Sequence, residues 1–96
     1  MIVDFADKAT EDIYHGQSTK AARGFPKTIW PAARRKLDIL EAAHDLRDLA
    51  VPPNNRLEKL EGDLAGFYSI RIDDQFRIVF RFDKGQASEV RVTDYH

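Results

Sequence analysis

Three arginines late in the chain, Arg71, Arg77 and Arg91, lie in alternating segments whose other residues are largely apolar. Because side chains alternate between the two faces of a strand, this spacing puts the cations side by side on one sheet face, with Arg81, Ser69, Thr93 and Tyr95 nearby. Like charges on neighbouring strands repel, on the roughly 0.2–1 kcal/mol scale of cross-strand pairs. A row of arginines therefore suits an anion. In the plainer reading it is a solvated face neutralised by Glu89 and the turn aspartates. The closing Asp94-Tyr95-His96 adds a polar aromatic and an imidazole to the same strand, and Arg56, Glu58 and Lys59, just before these segments, can lie across from it. Together these types supply what metal-free cleavage of RNA needs. A base takes the proton of the 2′-hydroxyl, cations stabilise the pentacoordinate phosphate, and an acid protonates the leaving 5′-oxygen.

Other chemistries fit less well. The chain has no cysteine, which removes disulfides, thiolate metal sites and cysteine nucleophiles together. His15, His44 and His96 sit in separate elements, and Asp73, Asp74 and Asp83 occupy turns, where aspartate is favoured for backbone reasons. No metal and no cofactor is expected. There is no glycine-rich phosphate loop. The formal net charge of −1 argues against broad, sequence-independent binding to free nucleic acid but leaves room for a local patch. Lys20, Arg23, Lys27, Arg34, Arg35 and Lys36 concentrate basic charge in the first half of the chain.

At 96 residues, 43% hydrophobic and 32% charged, the chain reads as one globular domain, 1–96, with a single core. No apolar run approaches the roughly 20 residues of a membrane span, and the first residues lack the pattern of a signal peptide, so a cytoplasmic protein is expected.

The positioning elements follow from periodicity. Segments 67–72, 76–82 and 87–96, separated by turns at 73–75 and 83–85, predict a three-stranded antiparallel meander. With three residues in each turn, Tyr68 faces Phe80, Ile70 faces Ile78, Ile72 faces Phe76, and Ile78 and Phe76 face Val90 and Val92. One face is then almost wholly apolar, as a sheet packed on helices requires. Ile2 to Phe5 reads as a short strand able to join one edge of the meander. Ala6 to His15 reads as a helix ended by Gly16. A second helix, capped by Thr28, runs to about His44, with Pro31 in its first turn. Residues 51–55 break regular structure, and Leu57 and Leu60 anchor either one helical turn or an irregular strand. The predicted fold class is α+β, with two helices on one sheet face.

The segments Pro52 to Asp63 and Ser69 to Phe80, the closing Asp94-Tyr95-His96 and the helical Arg35 to Leu49 resemble the HigB-type plasmid-maintenance, or proteic killer, toxins of the RelE superfamily. The likeness spans nearly the whole chain in order, spacing and length. It implies a compact RelE-like fold and a toxin of a type II toxin-antitoxin system: an endoribonuclease that cleaves mRNA on the ribosome and so inhibits translation. It also implies a HigA-type helix-turn-helix antitoxin as partner, with operator DNA engaged only through the complex. Carried over residue by residue, the resemblance places Arg77, Tyr95 and His96 in the catalytic site. Some members have histidine where this chain has Glu58 and lysine where it has Glu61, so the general base is Glu58 or His96. Arg56, Lys59, Arg71 and Arg91 complete the expected RNA-binding set. A non-catalytic RNA- or ribosome-binding growth inhibitor, or a toxin remnant acting as corepressor with its antitoxin, is the competing reading.

Overall fold

The computed structural model describes residues 1–94; Tyr95 and His96 lie outside the described residues. Helix α1 (Lys8–Tyr14) starts at Asp7, whose carboxylate accepts the Thr10 amide at 2.8 Å, the bond an aspartate cap provides. Gly16, at φ +72°, turns the chain out of the helix in a conformation that disfavours a side chain. The second helix does not start as expected. Thr28 is no cap: it lies inside a 3-10 turn, Lys27–Ile29, and α2 (Trp30–Ala42) follows without any side-chain cap. Pro26 before the turn and Pro31 in the first turn of α2 set the backbone for entry, so a capping hydroxyl is dispensable. Beyond α2, residues 51–55 hold a cis Val51-Pro52 peptide and a 3-10 turn at Pro53–Asn55.

The meander gains a strand. β1 (Glu58–Lys59), β2 (Tyr68–Arg71), β3 (Phe76–Asp83) and β4 (Gln86–Asp94) form one antiparallel sheet in that order. Of the two readings of the Leu57–Leu60 segment, the strand is the one adopted: Glu58 pairs with Ser69 and Lys59 with Tyr68. Between β2 and β3 the expected register holds, with Tyr68 opposite Phe80 and Ile70 opposite Ile78. Asp73 builds that turn by accepting the amides of Gln75 and Phe76 at 2.9 and 2.7 Å.

Between β3 and β4 the expected register is wrong by two residues. Ile78 faces Val92, and Phe76 faces Asp94. The turn holds two residues, Lys84 and Gly85, both at positive φ, flanked by the Asp83–Gln86 pair. That geometry matches the twist of the strands better than a three-residue loop does. A bulge then places two residues opposite Phe80, and Glu89, at φ 51°, carries the left-handed turn. The extra residue restores parity, so Val90 and Val92 still face the core. The Glu89 amide donates to Asp4 Oδ1 at 2.5 Å. Residues 2–5 run parallel to β4 through bridges Ile2–Ala87 and Phe5–Val90, as the edge segment foreseen from sequence.

Both helices cover the apolar face. Ile13, Ala33, Leu37 and Leu40 meet Ile70, Ile78, Phe80 and Val90 in one cluster, none more than 1% exposed. Buried Thr10 ties α1 to the sheet by accepting the Val92 amide at 2.8 Å. Thr10→Val keeps the shape but strands that amide, so it should cost about 1–3 kcal/mol, read as a lower urea midpoint at unchanged m-value.

Asp12, also buried, accepts from Thr19 Oγ1 at 2.6 Å and from Lys8 Nζ at 2.9 Å. These bonds, led by Thr19, hold its carboxyl below the usual carboxylate range. A folded pKa below the unfolded value of ~3.9 contributes stability above about pH 4 that is lost as pH falls through the depressed value. The gap in urea midpoint between wild type and Asp12→Asn should accordingly be widest near neutrality and close on acidification.

Candidate active site

The face of the sheet away from the helices is not simply solvated. Ser69 and Val79 are fully buried there, and Arg77 is only 8% exposed. The chain entering β1 passes over this face, because Arg77 Nη2 donates to the Arg56 carbonyl at 2.5 Å. Arg77 Nε donates to Ser69 Oγ at 2.8 Å. The Glu58 carboxylate stands 3.9 Å from Nη2, close enough to attract it without closing a hydrogen bond. Arg56 presents its carbonyl from a left-handed backbone, at φ 45°.

Around this guanidinium lies a small cavity of about 180 Å³ walled by Arg56, Glu58, Arg71, Asp74 and Arg77. Arg71 sits opposite Arg77 on β2 and pairs with Asp74 of the turn. Thr93 is opposite Arg77 on the other side, and its buried hydroxyl has no hydrogen-bond partner among the described residues. Arg71 and Asp73 also wall a second cavity of about 460 Å³, bounded by Arg35 and Lys36 of α2 and by Asn54. The two cavities therefore adjoin along Arg71 and Asp73, and together they are treated as one groove. Burial lowers the Lys36 pKa, helped by the neighbouring charges of Arg35 and Arg71. Its ammonium donates to Asn55 Oδ1, and the fully buried Asn55 amide is fixed by donating to Leu49 O and Val51 O at 3.2 and 3.3 Å. Among the described residues no cluster of His, Asp and Glu is placed to hold a metal.

A rigid buried cation beside a carboxylate, on a sheet edged by a two-residue strand, is a chemical arrangement that can be compared with known proteins. Residues 3–96 match the family described as the RelE-like toxin of the type II toxin-antitoxin system HigB. This chain belongs to the HigB-like toxins. Toxin HigB-1 of Vibrio cholerae serotype O1 is 44% identical over 87 residues, covering 91% of this chain and 90% of that one. An uncharacterized protein of Haemophilus influenzae is 32% identical over 65 residues, 68% of this chain and 64% of its own length. Among solved structures, the fold is similar to chains in two YoeB-YefM complexes from Staphylococcus aureus. The TM-scores are 0.60 and 0.59 at 19% and 21% identity, and each match covers all of this chain and 95% of the other.

In this HigB-like toxin, Arg56, Glu58, Arg71 and Arg77 come together as the sequence suggested. Lys59 does not join them: it follows Glu58 on β1, and strand alternation turns it away. Arg91 is not beside Arg77 as expected but opposite Val79, because the two-residue turn and the bulge each move β4 along by one residue. It shares the face without lining either cavity. Tyr95 and His96 fall outside the described residues. Sequence reasoning missed Lys36 and Asn55. The available signal for Lys36 was its place at the border of the α2 apolar stripe, four residues after Ala32 and one before Leu37. Asn55 gave no such signal, since it sits in an irregular segment.

The Ser69 bond is the anchor that holds Arg77 flat on the sheet. Ser69→Ala should lower stability by about 1–3 kcal/mol, because a buried charged donor loses its acceptor. In the Arg77→Met background the same change should cost much less. Urea denaturation of the four proteins in a double-mutant cycle measures that coupling.

Proposed function

We propose that this toxin is a metal-independent mRNA endonuclease that acts on the ribosome, with the Arg77 cavity as its active site. The observation that carries the reading is the Arg77 guanidinium, immobilised by Ser69 and the Arg56 carbonyl with the Glu58 carboxylate 3.9 Å away. A fixed cation is what a phosphate gaining charge in the transition state requires, since the site does not reorganise as the charge develops. In the proposed step a base removes the 2′-hydroxyl proton and the freed oxygen attacks phosphorus. The P–O5′ bond breaks, and an acid protonates the departing 5′-oxygen, leaving a 2′,3′-cyclic phosphate and a 5′-hydroxyl. Glu58 and His96 share these proton transfers, Tyr95 orients a base or the phosphate, and Arg71, Arg56 and Arg91 contribute cationic field. Lys59 acts, in this scheme, only at the periphery of the bound strand.

The same proposal has the chain work as one domain in the cytoplasm, held inactive by a HigA-type helix-turn-helix antitoxin and reaching operator DNA only through that complex. The family to which the chain belongs supports an antitoxin partner. The fold's likeness to YoeB chains from YoeB-YefM complexes agrees with it. Among the described residues, no helix is long and apolar enough to cross a membrane.

A second reading draws on the same contact. Glu58 is attracted to Arg77, which also bonds inward, and the net charge is −1, so the face could serve a non-catalytic growth inhibitor that binds without cutting. Induction without antitoxin separates the two. Arg77→Ala, or removal of Tyr95-His96, should abolish growth arrest and the new mRNA 5′ ends at translated codons while circular dichroism stays native. Glu58→Gln should slow cleavage by about 10²-fold or more if Glu58 moves a proton. Growth arrest without new 5′ ends would select the binding module.

A further inference from the structure

The larger half of the groove has no role in the chemistry above, yet its walls are built for an anion. Arg35 has no acidic partner among the described residues, and Lys36 is held by the neutral Asn55 side chain. Of the ammonium's three donors, one is used on Asn55, which leaves two for a ligand. The nearby carboxylates are already committed. Asp73 accepts the two turn amides, and Asp74, on the solvent side, pairs with Arg71. Arg35, Lys36 and Arg71 thus border about 460 Å³ of open groove. Arg71 is balanced by Asp74, and Arg35 and Lys36 outnumber the Asp73 carboxylate, of which Oδ1 takes both turn amides. Burial together with Arg35 and Arg71 disfavours the charged form of Lys36, a cost that an anion placed between them would offset.

A brace for the 51–55 loop would explain the Lys36–Asn55 bond alone. It would not explain why Arg35 and Arg71 border the same open space. The groove also shares Arg71 and Asp73 with the Arg77 cavity, so the two lie side by side at the spacing of neighbouring positions on one extended polyanion. We infer that the groove between α2 and the β2–β3 turn is a subsite for a backbone phosphate of the RNA strand flanking the one at Arg77. Arg35 and Lys36 make the direct contacts, and Arg71 is shared between the two phosphates. This subsite rests on the endoribonuclease reading.

The test uses ribosomes programmed with a short messenger that carries one uncharged methylphosphonate at each position flanking the cleavage point in turn. For the wild-type chain, one flanking substitution should raise KM about tenfold with little change in kcat. In Arg35→Gln/Lys36→Met, KM should be raised already, and that substitution should have no further effect. Lys36→Arg should restore much of the discrimination. If the double variant does not fold, Arg35→Gln alone carries the comparison, since that side chain is exposed. Penalties that simply multiply, a loss confined to kcat, or a loss confined to antitoxin affinity would each overturn the subsite. Arg77→Ala is run in parallel. Its inactivity with an unchanged KM pattern in the double variant refutes the subsite alone. Undiminished cleavage by Arg77→Ala refutes the Arg77 cavity as the active site and the subsite with it, and absence of cleavage by the wild-type chain refutes the endoribonuclease reading.

Discussion

A guanidinium cannot lose its proton, so once it is drawn onto a sheet it must be surrounded by acceptors. Arg77 makes that demand at the centre of the face opposite the helices. Ser69 on β2 supplies one acceptor, and the Arg56 carbonyl supplies another. For the carbonyl to arrive there, the chain must cross the sheet, turn left-handed at Arg56 and pair as β1 with β2. The small edge strand, the buried Ser69 and the cavity beside Glu58 are consequences of housing one cation. The constraint also explains why the cation is rigid: each bond that satisfies it comes from an element anchored elsewhere in the sheet.

The far side of the same sheet is organised by a different device. Glu89 adds a residue to β4, and the bulge is secured at both ends, by Asp4 on its amide and by Arg81 Nε on its carboxylate at 2.8 Å. The N-terminal residues that supply Asp4 cover the outer edge of β4, which would otherwise present unpaired backbone groups. Arg81 also lies over the Phe67 ring, 4.2 Å from its centroid. Position 66 favours glycine because its φ is +93°, and a Cβ there would also displace the Arg81 guanidinium, whose Nη1 stands 2.9 Å from where it would be. Of the arginines on this face, Arg81 is spent on structure, whereas Arg77 is both held and exposed to a cavity.

Near-neutral overall charge and a cationic groove are compatible because the acidic residues are used locally. Asp7 caps α1, and Asp45 accepts the Arg47 amide and shares a reciprocal cap with Asp48. Asp12 receives Lys8 and Thr19, and Asp73 shapes a turn. Most of these carboxylates lie away from the groove, where, among the described residues, only Glu58, Asp73 and Asp74 stand against Arg35, Lys36, Arg56, Arg71 and Arg77. What remains along the groove is positive, and the net charge of −1 is a poor guide to its field.

Alternation and helical spacing were enough, from the sequence by itself, to determine the α+β class, the two helices on one sheet face, the three-residue first turn and the joint placement of Arg71 and Arg77. The reason is that burial of an apolar face admits only one parity for each strand. Parity does not count residues, however. A shift of two leaves every side chain on its proper face, so only the tertiary structure could decide that Lys84-Gly85 turns tightly and that Arg91 lies opposite Val79. The same limit applies to irregular segments. Residues 49–57 carry no period, and the convergence of Asn55, Lys36 and the Arg56 carbonyl on the site depends on hydrogen bonds between elements far apart in the chain. Local pattern determined which faces meet; long-range satisfaction of buried polar groups decided what stands at their border.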